Sequence, residues 1–127
     1  MARRVPKHLT EQEKAALAAY VSHLRQAYGD QIVAVKLFGS KARGDYEEYS
    51  DLDVLVVVKS DDWRLHDQMV VTAVQPMLDY DVVITPLIVS TKRLRQWQRD
   101  RMPIHRRIQA DGVSLWTKKT RISSAAA

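Results

Sequence analysis

Phe38-Gly39-Ser40-Lys41-Ala42-Arg43-Gly44, followed by Ser50-Asp51-Leu52-Asp53, decides the reading of this chain. A glycine-bracketed turn precedes two carboxylates one residue apart. Each half adjoins a β-rich apolar run, Ile32 to Phe38 before and Leu52 to Val58 after. On a strand, residues i and i+2 share a face, so Asp51 and Asp53 project together. A loop held against a carboxylate pair on neighbouring strands is the expected result.

Such a pairing suits metal-assisted chemistry on a nucleoside triphosphate. Triphosphate charge is held by backbone N–H groups at a tight turn and by divalent cations. Gly39 lets the backbone approach, Ser40 adds a hydroxyl donor, Lys41 or Arg43 supplies a cation, and Gly44 permits the turn out. Asp51 and Asp53 repel one another, and a hard cation such as Mg²⁺ relieves that repulsion while bridging to phosphate oxygens. Neither G-x-x-x-x-G-K-[ST] nor G-x-G-x-x-G occurs, which excludes the usual P-loop and dinucleotide fingerprints.

The run from Leu37 to Val58 resembles the signature of the DNA polymerase beta-like nucleotidyltransferase superfamily: Gly-Ser, ten residues, Asp-x-Asp, then a third carboxylate on a later strand. The small size is similar to the minimal nucleotidyltransferase (MNT) group, and Tyr80 to Pro86 and Pro103 to Val113 read like its later strand and closing segment. The resemblance implies a polymerase beta-like fold in which Asp51, Asp53 and a third acid hold Mg²⁺ against ATP. The resemblance implies that Asp81 takes the third place, binding metal and helping to deprotonate the attacking hydroxyl; spacing alone does not separate it from Asp79. Gly39, Ser40, Lys41 and Arg43 are then nucleotide-binding residues, although family members often carry arginine where Lys41 stands. The resemblance further implies an antitoxin that transfers AMP to a tyrosine of a HEPN-domain ribonuclease toxin. A contact antitoxin without catalysis and a small-molecule nucleotidylyltransferase are the alternatives, the latter disfavoured because the chain lacks an appended substrate domain.

Length and composition fit that expectation. The 127 residues, 46% apolar, support one domain over residues 1–120 with a modest core, and the Ser123 to Ala127 end reads as part of a disordered tail from 121. No cysteine is present, so disulfides and thiolate metal sites are excluded. Without a long apolar span or signal-like start, a cytoplasmic protein with no membrane association is expected. The net charge is +5, but Asp45 to Asp81 holds ten of the fifteen acidic residues, and Thr91 to Arg121 holds ten of the twenty basic ones. The basic part suits nucleotide phosphate or an acidic protein; without a recognition helix or RNA-binding aromatic motif, direct nucleic-acid binding is not expected.

Around the motif the elements order themselves. Thr10-x-x-Glu13 is a capping box opening a helix that Gly29 stops. Strands follow at Ile32 to Phe38 and Leu52 to Lys59, the second nearly all apolar and hence central. A helix capped by Asp61 runs to about Leu78, bent or ended by Pro76. A strand at Asp81 to Val89 carries Pro86 and so belongs at an edge. Helices after Ser90 and from Pro103, then a short Val113 to Trp116 strand, complete an α/β (α+β) fold: a mixed sheet with helices mainly on one side and the site at a sheet edge. Trp116 reads as core packing and Trp97 as a surface contact.

Overall fold

A computed structural model describes residues 8–44 and 51–118; the expected tail lies outside them. The first helix, α1 (Glu11–Tyr28), starts at its capping box. Thr10 Oγ1 accepts from the Glu13 N–H at 3.0 Å, and Glu13 Oε1 accepts from the Thr10 N–H at 2.9 Å. A 3₁₀ turn, Gly29–Gln31, leads into β1 (Ile32–Phe38), which passes without a loop into the short α2 (Gly39–Arg43). The chain returns as β2 (Leu52–Val58) and continues through α3 (Trp63–Val71) and α4 (Val74–Tyr80) to β3 (Ile84–Ser90). Then α5 (Thr91–Arg99), α6 (Pro103–Asp111) and β4 (Val113–Thr117) complete the described fold.

The four strands form one sheet in the order β3-β2-β1-β4. β1 pairs antiparallel with β2 and β4, and β2 pairs parallel with β3. The main core lies under α1, α3 and α4, where Leu17, Tyr20, Leu24 and Met69 pack on Val35, Leu37, Val54 and Val56. The opposite face is covered as well: Leu94 and Trp97 of α5 and Ile104 and Ile108 of α6 pack on Ala34, Leu55 and Val57. This two-sided burial explains why β2 reads as a nearly unbroken apolar run. It also draws Trp97 inward, half-buried against the second core, correcting its expected surface role.

Two boundaries differ from the sequence expectation for identifiable reasons. The single helix expected from Asp61 starts one residue later, with Asp62 Oδ1 accepting from the Arg64 N–H at 3.0 Å, and breaks at Thr72 and Ala73. Pro76 lacks the N–H that would bond the Thr72 carbonyl, and its ring crowds that same group. The third strand begins at Ile84 instead of Asp81, because Asp81 adopts φ +54 and terminates α4. Among the described residues no helix is long and apolar enough to cross a membrane.

Candidate functional site

The acid pair and the glycine turn meet at one end of the two central strands, β1 and β2, rather than at an outer edge of the sheet. Antiparallel register sets Asp53 opposite Phe38, the residue just before the turn. Gly39 then has φ +77, and a Cβ there would run into the Asp53 carboxylate. Two independent demands, left-handed backbone and a bare Cα against an acid, therefore fix glycine at this position. Ser40 follows, half-buried, and its carbonyl accepts from the Gly44 N–H at 2.8 Å to close the short helix.

Asp51 and Asp53 differ in environment. Asp53 is half-buried and its carboxyl is pushed above the ordinary range, by burial first and by the Asp51 charge second, while Arg43 pulls it down. Asp51 is exposed, and its Oδ2 accepts a hydrogen bond from Thr85 Oγ1 at 3.0 Å. Thr85 is the β3 residue in register with Asp53. Neither Thr85 nor its contact was foreseen; a hydroxyl within the third strand was the available signal, but it cannot be read without the strand register.

Around this centre α2 is clamped from two sides. Arg43 Nη1 lies 3.3 Å from Asp111 Oδ2, at the end of α6. Lys41, expected at the nucleotide phosphates, instead turns into the protein, where its Nζ lies 2.7 Å from Glu13 Oε2. The two side chains are only 3% and 10% exposed. The cause is the capping box: a carboxylate drawn into the start of α1 needs a buried cation. Burial pushes the Glu13 carboxyl up, but the Lys41 and Thr10 interactions outweigh it and hold the group below its ordinary range. His8 Nε2 donates to the Lys41 carbonyl at 2.7 Å, tying α2 a second time.

Asp81 does not join the pair. It caps α4 on the exposed surface three residues before β3, and Asp79 lies within α4, where its Oδ1 accepts from Gln75 Nε2 at 2.7 Å. Among the described residues no three His, Cys, Asp or Glu side chains gather where one cation would sit. The structure thus brings together Gly39, Asp51, Asp53 and, unforeseen, Thr85, with Arg43 alongside. A separate cavity of about 760 Å³, lined by Leu17, Val21, Arg25 and Trp116 among others, involves none of these residues.

A hard divalent cation fits what is present. Two oxygen-donor carboxylates lie close enough for the Asp51 charge to act on Asp53, whose carboxyl is raised by burial first and by that charge second. The sequence of residues 17–104 matches the model of the nucleotidyltransferase domain.

The chain belongs to the nucleotidyltransferase domain family. This nucleotidyltransferase is 32% identical over 104 residues to "Putative protein adenylyltransferase MJ0604" of Methanocaldococcus jannaschii, an alignment covering 82% of this chain and 98% of the relative. Its fold resembles a chain from the crystal structure of a toxin–antitoxin with AMP-PNP, at 18% identity and a TM-score of 0.55, covering 87% of this chain and 78% of that one. A chain from a variant of the MntA–HpeT toxin–antitoxin is similar at 15% identity and a TM-score of 0.53, with the same coverage of 87% and 78%. At these identities the two structures speak for the fold alone.

Proposed function

We propose that this nucleotidyltransferase transfers AMP from ATP to a hydroxyl of a partner protein, a tyrosine of a HEPN-type ribonuclease toxin, and so acts as its antitoxin. The observation that carries the chemistry is the bare Gly39 Cα against the Asp53 carboxylate, with the Asp51 charge acting on the same carboxylate. One small volume then offers both the Gly39-Ser40 turn into α2 for phosphate and a pair of acids for cations. The protein acceptor is supported by the name of the M. jannaschii relative, and the toxin partner by the toxin–antitoxin neighbours.

In this reading Asp51 and Asp53 hold Mg²⁺, which when bound neutralises charge on the phosphate oxygens. Gly39 and Ser40 steady the terminal phosphates, and Arg43 adds positive charge beside them. The acceptor oxygen attacks the α-phosphorus, the bond from that phosphorus to the bridging oxygen breaks, pyrophosphate leaves, and the acceptor proton passes to water. Lys41 has no direct part, and with Asp81 outside the pair no third acid of β3 is assigned to proton removal.

The test is the intact mass of the protein encoded beside this chain, after incubation with it, ATP and Mg²⁺. A gain of whole AMP units with the unmodified chain, absent with Asp51→Ala/Asp53→Ala, is expected. A stable complex with bound ATP but no gain in mass would overturn transfer and leave inhibition by contact.

A further inference from the structure

Asp51 and Asp53 are held by different means. Asp53 lies inside β2, paired with Phe38 and covered by Gly39. Asp51 precedes the strand and is exposed, so its side chain is free to exchange rotamers unless something engages it. Among the described residues, the Thr85 hydroxyl reaches its carboxylate from the neighbouring strand, donating to Oδ2 at 3.0 Å.

The donor is itself well fixed. The β2–β3 register runs without a shift from Leu52↔Ile84 to Val58↔Ser90. The Leu52 N–H donates to the Val83 carbonyl at 2.9 Å, extending the pairing past the strand end beside Asp51. Thr85 is β-branched, so its χ1 is restricted and its hydroxyl direction follows from the backbone. Register also sets Thr85 beside Asp53, so the residue that bonds one acid of the pair stands next to the other.

We propose that Thr85 is the positioning residue of this site: it stands beside both acids and, through its hydroxyl, fixes Asp51 so that one carboxylate oxygen stays turned to β3 and the other is left for the cation. This rests on Asp51 and Asp53 as the cation-holding pair. Groups that orient metal ligands typically change affinity by about 10- to 100-fold when removed, and the exposure of Asp51 places the effect here near the lower figure.

Mn²⁺ binding followed by electron paramagnetic resonance, with and without ATP, provides the test on the full chain, with thermal unfolding as a fold control. Thr85→Val keeps shape and strand preference but loses the donor; about tenfold weaker Mn²⁺ binding with an unchanged unfolding midpoint is expected. Thr85→Ser should restore binding, and Thr85→Asp should bind Mn²⁺ more tightly than the unmodified chain. Val equal to the unmodified chain, Ser as weak as Val, or no gain with Asp would each overturn the assignment. The readout needs no acceptor protein, so failure of AMP transfer leaves it standing; absence of Mn²⁺ binding by the unmodified chain would overturn both readings.

Discussion

At Asp53 the protein retains a charge that folding disfavours. Its carboxyl is raised by burial and by Asp51, so the folded chain binds this proton more tightly than the unfolded one. The resulting stability is greatest below the ordinary carboxylate range and falls as pH rises through the raised value. Above it, the repulsion persists unless a cation offsets it. Asp53→Asn should therefore raise the unfolding midpoint at neutral pH, by an amount worth about 1 kcal/mol or less for so accessible a pair. The same variant should lose the stabilisation that Mg²⁺ gives the unmodified chain. Thermal melts with and without Mg²⁺ check both, and a destabilised Asp53→Asn would mean that the carboxylate is structural. Gly39 was legible in the sequence as a turn residue, but its contact with Asp53 was not, because it depends on which residues face each other across two strands.

Among the elements, the strut between α1 and α2 carries the sharpest energetic consequence. Glu13 uses one oxygen to cap α1 and the other to hold Lys41, both deeply buried. Removing one partner of such a pair leaves the other charged in the interior, at a cost of about 3–5 kcal/mol. Lys41→Met should cost that much by urea unfolding, and Glu13→Gln/Lys41→Met should recover most of it. Arg43→Ala, which breaks a partly exposed link to Asp111, should cost about 1 kcal/mol or less. The Glu13 carboxyl is held low, so its contribution is complete above the ordinary carboxylate range and is lost as pH falls through the lowered value. Acid unfolding of Glu13→Gln/Lys41→Met should lack that component. The capping box itself was plain from Thr10 and Glu13; the second duty of Glu13 was hidden because its partner lies twenty-eight positions on, inside what reads as a nucleotide loop.

For the whole molecule, periodicity and punctuation made most elements legible: β1, the cap of α5 at Ser90 and the start of α6 at Pro103 stand where the residues place them. What was not legible depends on pairing between distant segments, as with Thr85, Asp111 and the inward turn of Trp97. The same dependence governs the last strand. β1, read as Ile-Val-Ala-Val-Lys-Leu-Phe, is a nearly apolar ribbon, and β4 covers its outer side with a strand bearing Ser114 and Thr117. β4 is thus a shield against self-association. A chain ending at Asp111 would expose the backbone donors and acceptors of β1 to a second copy, the arrangement from which fibrous aggregates grow. Light scattering of that truncated chain should rise with time and concentration while the full chain stays clear, and equal behaviour would show that β1 is protected by other means.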